Sequence, residues 1–372
     1  MSLARDIIDR VFFPNRDVHA IPVLDGGFSP NQRLEQAEVL ASFEAPDSLA
    51  LGPDGRLYVS AGPAIHACSG SRLDKPEIFA RAEAPVSALR WTGDGRLLAA
   101  VDGRGLHAFD RGGKLVARLD ALGGVPLRCV TAIAVAADGT VYATDGSRHN
   151  EAAQWLTDLM QNRRGSGRLI AAASDLSNPR LVKDGLSWPA GVAIGHDEKE
   201  VLVGEAWAHG LSAVSRADGS VRRLVRNFVG YPGRICRSAK GGYWVAFFAL
   251  RTQLTEFILR EPIFRMKMME QVPPDLWIGP TLGGKFDYRE PTQIGRIKKL
   301  GIQKPWAPPR SYGLVARLDE QGQALESLHS RVSGNLHGIT DVAEIGTTLY
   351  AVSKGHGKVA SVALTPAAGG RA

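Results

Sequence analysis

One hydrophobic pattern recurs along the chain: an alternating apolar segment, a turn centred on Asp-Gly, and a second apolar segment. It reads DSLALGPDGRLYVSAG at 47–62, SALRWTGDGRLLAAVDG at 87–103 and TAIAVAADGTVYATDG at 131–146. Looser copies follow at 190–206 (AGVAIGHDEKEVLVGEA), 233–248 (GRICRSAKGGYWVAFF) and 338–355 (GITDVAEIGTTLYAVSKG). Alternation on both sides of a turn predicts half-buried strands, and Asp-Gly supplies the positive φ of a tight hairpin. Asp54, Asp94 and Asp138 are 40 and 44 residues apart; the next turns follow after about 59, 44 and 104 residues. Strand-turn-strand units at 40–45 residues are the spacing of four-stranded propeller blades. Six copies predict an all-β, six-bladed β-propeller over residues 1–372, with an N-terminal extension at 1–36. A sandwich gives no reason for one hairpin to recur at this interval.

The two long gaps predict insertions in the third and the fifth-to-sixth blades. At 148–165, Ala152, Trp155, Leu156 and Leu159 fall at helical spacing. At 251–277, Leu254, Phe257, Ile258, Phe264, Met268 and Met269 fit one helical stripe broken at Pro262. The remainder of 251–312 is Gly/Pro-rich and basic and reads as a long loop capping the propeller. Loops of that length in compact domains are usually functional, so the insertion is a candidate lid, protein-partner surface or membrane-contacting element. The amphipathic N-terminus (Ile7, Ile8, Val11, Phe12) is a second candidate for membrane contact.

Composition narrows the picture. Gly 42 and Pro 21 in 372 residues suit many turns, and 44% apolar residues supply a large core. The net charge of +7 comes without a like-charge block, so no nucleic-acid partner is expected. Cys68, Cys129 and Cys236 are too few and scattered for a disulfide framework or a zinc site. A nucleophilic Cys236 is the weakest of the catalytic candidates. No signal-peptide pattern and no transmembrane segment are read, and the expected localisation is cytoplasmic. GxSxG, HExxH, Walker and GxGxxG signatures are missing.

Innermost propeller strands line a central channel, so aligned repeats predict a ring of facing residues. Counting seven before each turn Asp, or its equivalent, gives Asp47, Ser87, Thr131, Ala190, Gly233 and Gly338, with Arg234 and His337 beside the last two. One carboxylate and two hydroxyls are a poor set for calcium, which takes six to eight oxygens. No cofactor is expected. Arg234, with the basic residues Arg296, Lys298, Lys299, Lys304 and Arg310, would hold an anionic small molecule, or else pair with Asp47. His337 and Asp47 are the catalytic candidates, with His149 a weaker one. Arg234, Thr131, Ser87, Trp306 and Tyr312 are the ligand-binding candidates, and Trp277 is comparable to Trp306. Glu205 and Asp145 read as partners for loop amides, and Trp91, Trp188, Trp207 and Trp244 as packing between blades.

The stretches APDSLALGPDGRLYVS, ADGTVYATDGS with RRGSGRLI, LSWPAGVAI with VLVGEAWAHG, GYPGRICRSAKGGYWVAFFALRT, VPPDLW and GLVARLDEQGQALESLHS come in an order and spacing that resemble the strictosidine synthase-like group of six-bladed propellers. That group is related to gluconolactonases, regucalcin and paraoxonases, and the resemblance covers nearly all of the chain after about residue 20. It implies a propeller acting on a small molecule, with lactone or ester hydrolysis the leading activity. The chain departs from the metal-dependent relatives at their ligands: Asp47 stands for a Glu, Thr131 for an Asn, Pro189-Ala190-Gly191 for Pro-Asn-Gly, and Tyr231-Pro232-Gly233-Arg234 for Tyr-Pro-Asp-Asn. Thr340 aligns near the catalytic Glu of the alkaloid synthase, so strictosidine synthase activity is not expected. The alternative is a non-catalytic propeller that binds a metabolite or a protein.

Overall fold

The computed structural model describes residues 20–70, 72–284, 298–299, 302–303, 311–331 and 334–364. Six four-stranded antiparallel sheets follow one another around a ring. Their innermost strands are Pro46–Leu51, Val86–Trp91, Val130–Val135, Pro189–Ile194, Gly230–Arg237 and Ile339–Ile345. Each packs beside the next, and the sixth returns to the first. The chain is an all-β, six-bladed propeller with a few short helices. The last blade is completed from the N-terminal side: Glu38–Ser42 pairs with Lys358–Ala363 at its outer edge.

The predicted hairpins join the first and second strands of every blade. Their turns work differently from a tight two-residue hairpin. Gly55, Gly95 and Gly139 take φ of 78°, 86° and 84°, and the Asp before each is not in the left-handed region. The Asp instead turns its carboxylate on the chain: Asp54 accepts from the Arg56 amide at 3.1 Å and Asp138 from the Thr140 amide at 2.9 Å. Burial differs too. Leu97–Val101 and Pro189–Ile194 are buried at every position, because neighbouring blades cover both faces of each sheet. The half-exposed character belongs to the outer strands, such as Asp74–Arg81.

Both insertions lie between the second and third strands of their blades, on one face of the ring. The second is therefore internal to the fifth blade. The first insertion forms α1 (Trp155–Gln161), preceded by a short 3-10 turn at Ala152–Gln154. The second forms α2 (Gln253–Arg260) and α3 (Pro262–Gln271). The Thr252 hydroxyl caps α2, and Pro262 starts α3 at the position where its missing N–H costs nothing. The break divides the apolar stripe. Ile258, Leu259 and Met268 face the core, whereas Phe257 and Phe264 are 49% exposed.

α1 is fastened by one buried carboxylate. Asp158 accepts from the Ser147 hydroxyl at 2.6 Å, the Asn150 amide at 2.8 Å and the Trp207 indole at 2.8 Å. Asp158→Ala leaves three buried donors unmatched and is expected to cost about 3 kcal/mol. Urea unfolding checks this; the midpoint falls at unchanged slope, and Asp158→Asn falls less.

Candidate functional site

All six innermost strands carry a bulge near their start. The unpaired residues are Asp47, Ser87, Thr131, Ala190, the pair Gly233-Arg234, and Thr340. A bulge turns its extra residue out of the ladder, here toward the channel. The sequence reading placed five of these correctly. Its sixth, Gly338, lies two residues short of the bulge, and Thr340 takes the place. In the fifth blade two residues, Gly233 and Arg234, stand opposite the single unpaired Ala246.

Arg234 crosses the channel. Its Nε donates to the Thr131 carbonyl at 3.0 Å, and Nη1 to the carbonyls of Asp47 at 2.7 Å and Thr340 at 3.2 Å. Nη2 donates to the Ser87 carbonyl. One guanidinium thus joins the fifth blade to the first, second, third and sixth. Hydroxyls complete the circuit: Ser87 donates to the Val130 carbonyl at 2.7 Å, Thr131 to Pro189 at 2.5 Å and Thr340 to Asp47 at 2.8 Å. The fourth and fifth blades meet through glycine; a Cβ on Gly191 would collide with the Gly233 carbonyl.

Asp47 balances the charge. Its Oδ1 lies 2.9 Å from Arg234 Nη1, and its Oδ2 pairs with Lys354. Burial opposes ionisation, but the two cations outweigh it and hold the carboxyl below its usual range. Lys354 was absent from the sequence candidates. It sits one residue past the second strand of the last blade. The same place in the second and fifth blades holds Asp102, which accepts the Ala152 and Ala153 amides ahead of α1, and Arg251, which pairs with Glu256. Comparing that column of the repeat would have found all three.

Above Arg234 lies a cavity of about 80 Å³ beneath the helical cap. Asp47, Ser87, Thr131, Arg234, Thr340 and Lys354 form its polar floor. Trp155, Trp188, Phe248 and Leu282 form its apolar wall. Below Arg234 a wider space of about 560 Å³ opens toward the Asp-Gly turns. Its charged groups are engaged with the turns: Arg237 donates to the Ile194 carbonyl, and Glu344 accepts from the Trp244 indole and the Ala239 amide.

The remaining candidates lie elsewhere. His337 is 2% exposed and is not part of either cavity. Its Nδ1 meets the Ser311 hydroxyl and its Nε2 the Arg331 carbonyl, both at 2.8 Å, and its ring stacks on His356. Burial and the neighbouring His356 push its pKa down to about 4. Tyr312 is buried, with its hydroxyl 3.0 Å from His329 Nδ1. Trp277 is buried and donates to the Val272 carbonyl. Trp306 and the side chains of the basic stretch 296–310 lie outside the described residues. Burial raises the Cys236 thiol to about 12. Glu205 and Asp145 accept loop amides from Ser187 and Cys129. Among the described residues, no group of three or more His, Cys, Asp or Glu is placed to hold a metal. No described helix is long and apolar enough to cross a membrane.

The N-terminal family model of strictosidine synthase-like proteins matches residues 26–61, which include the first hairpin. Similar proteins continue the match. One from Salmo salar named adipocyte plasma membrane-associated protein is 26% identical over 335 residues, 83% of this chain and 73% of its own. Its Danio rerio namesake is 27% identical over 269 residues, 65% of this chain and 64% of its own. The chain is thus similar in sequence to strictosidine synthase-like and adipocyte plasma membrane-associated proteins. Strictosidine synthase-like 13 of Arabidopsis thaliana adds 22% identity over 216 residues, 56% of this chain and 46% of its own. The chain thus spans just under two thirds of the Danio rerio relative and about half of the plant one. Solved structures share the fold. A gluconolactonase from Xanthomonas campestris superposes with a TM-score of 0.58 at 14% identity, covering 88% of this chain and 89% of that one. The calcium-binding protein regucalcin from Agrobacterium tumefaciens does so at 0.57 and 13%, covering 88% and 93%.

Two outcomes test the site's energetics. Arg234→Ala removes a donor shared by four carbonyls and one of the two cations on Asp47, and is expected to cost about 3–5 kcal/mol, whereas Lys354→Met, at a third-exposed position, costs less; unfolding titrations order them. Stability is also expected to fall as pH drops from about 6.5 to 4. The unfolded chain takes up protons there that His337 and His329, both depressed to about 4, refuse while folded. Each contributes about 3 kcal/mol that is complete above pH 6.5 and lost toward pH 4. His337→Gln flattens that dependence; an unchanged slope in urea titrations between pH 7 and 4.5 would refute the assignment.

Proposed function

We propose that this propeller binds a small carboxylic acid at its helix-covered mouth without metal and without turning it over. One observation carries the reading: the Arg234 guanidinium occupies the channel axis and draws in the carbonyls of four blades. Calcium takes several oxygens at once. Here the one ring carboxylate is committed to two cations, and the converging carbonyls accept from Arg234. The residues present therefore do not fit that ion, and Arg234 serves as the fixed charge in its stead.

The cavity supports a binding role. The Lys354 ammonium has three donors, and Asp47 takes one of them. It is 32% exposed beside Trp155, Trp188, Phe248 and Leu282, which suit the apolar body of a ligand whose carboxylate meets Lys354. A hydrolytic reading lacks a base there. Asp47 is held ionised by its partners, and His337 lies outside the cavity. The cysteines are free thiols, consistent with the cytoplasmic setting that belongs to this proposal. Ile263 and Met266, 75% and 55% exposed on α3, favour one further reading, a protein partner seated on the cap.

The test combines turnover with binding. Lactones and aryl esters are offered with added calcium and with chelator, and small carboxylic acids are titrated against tryptophan fluorescence. Saturable acid binding weakened tenfold or more in Lys354→Met, with no turnover above background, is expected. Turnover above background, with or without chelator, would overturn the proposal.

A further inference from the structure

A second charged cluster lies between the turn after α1 and the α2–α3 pair. Arg251 and Glu256 form a buried ion pair at 2.8 Å, with side chains 0% and 2% exposed. That pair is balanced. Two more guanidinium groups stand close by. Arg265 of α3 is 7% exposed; one Nη donates to the Leu259 carbonyl, and its Nε is buried with no hydrogen-bond partner. Arg164, in the turn after α1, is half-buried and makes no hydrogen bond or ion pair with any described residue. Its electrostatic neighbours are Glu256, Tyr231, Arg251 and Arg265. The Tyr231 hydroxyl lies in the same cluster, fully buried and also without a partner.

Among the described residues, three guanidinium groups face one carboxylate, Glu256, which pairs with Arg251 and lies 3.6 Å from His209 Nε2. A buried guanidinium cannot shed its proton, so leaving it without a counter-charge is costly. Burial disfavours the charged form of both Arg164 and Arg265. The unmet donors are of the type that grips oxyanions: planar forks that bind two oxygens at once, and a phenol.

We propose that Arg164, Arg265 and the Tyr231 hydroxyl form a binding site for a small oxyanion, a phosphate or carboxylate group. The site is separate from the cavity above Arg234. The Tyr231 ring stacks on Phe248, with centroids 5.8 Å apart, and Phe248 is the residue that faces the cavity. Because Arg164 follows α1 and Arg265 belongs to α3, a bound oxyanion would clamp the two insertions together.

The full chain is titrated with inorganic phosphate and, separately, with acetate, in chloride buffer of matched ionic strength. Calorimetry and thermal unfolding are both recorded. A saturable rise in Tm with phosphate, and a tenfold or greater loss of affinity in Arg164→Gln, are expected. Lys354→Met, which alters only the channel mouth, keeps the response. A response to acetate that persists in Lys354→Met and is lost in Arg164→Gln would assign the site to carboxylates as well, and a response to phosphate alone to phosphate groups. Arg265→Gln serves as the second variant if Arg164→Gln does not fold, and must show the same loss. An equal response in the wild type and either folded variant, or no response to either anion, would sink the proposal without touching the reading of the channel.

Discussion

A guanidinium on the axis of converging carbonyl groups sets the terms on which the blades meet. Six inner strands begin at one mouth, and four of them turn carbonyl oxygens toward the same point. Such oxygens repel one another and would otherwise need a cation or water between them. Arg234 provides fixed positive charge on a stem anchored in the fifth blade. Its planar fork reaches the other blades in separate directions, which a lysine ammonium would not reproduce. Asp47 then keeps the centre near neutrality, and Lys354 holds the outer side of that carboxylate. The bulges, the hydroxyl links and the floor of the cavity all follow from this arrangement.

How much of this could be read from the chain depends on the blade. The first three turns keep a constant offset from the residue that bulges, so Asp47, Ser87 and Thr131 were legible by counting. In the fifth blade two residues face one across the bulge, and Arg234 is visible only as a neighbour of the counted position. In the sixth blade the turn lacks its Asp, and the count fell on Gly338 when the bulge is at Thr340. His337 looked close to the ring for the same reason. It belongs to a buried polar group with Ser311 and His356, which pairs residues far apart in sequence. The hairpins themselves were plain from alternation, but their burial was not. A blade is covered on both faces by its neighbours, and a period of two carries no record of that.

The cap shows how one residue redirects a surface. Pro262 ends α2 and begins α3, so the apolar positions of 251–277 no longer share a side. Ile258, Leu259 and Met268 reach the core beside Trp207 and Phe248. Phe257, Ile263, Phe264 and Met266 are left facing outward. The same helices bring Glu256 and Arg265 inward against Arg251 and the turn after α1. The insertion thus leaves apolar side chains facing outward while a charged pair is buried beneath it among apolar contacts.

The last blade is assembled from the two ends of the described chain, Glu38–Ser42 on Lys358–Ala363. Synthesis proceeds from the N-terminus, so Glu38–Ser42 emerges about 300 residues before its partner. Until the final hairpin leaves the ribosome, the first strand has no ladder and the blades on either side of the gap lack a covering neighbour. An unpaired strand of this kind recruits other chains. The guanidinium clasp is equally late, because Thr340 arrives with the same hairpin. The ring therefore stays an open arc until the sixth blade has emerged, and a truncation that removes that blade's last hairpin would trap the adhesive state.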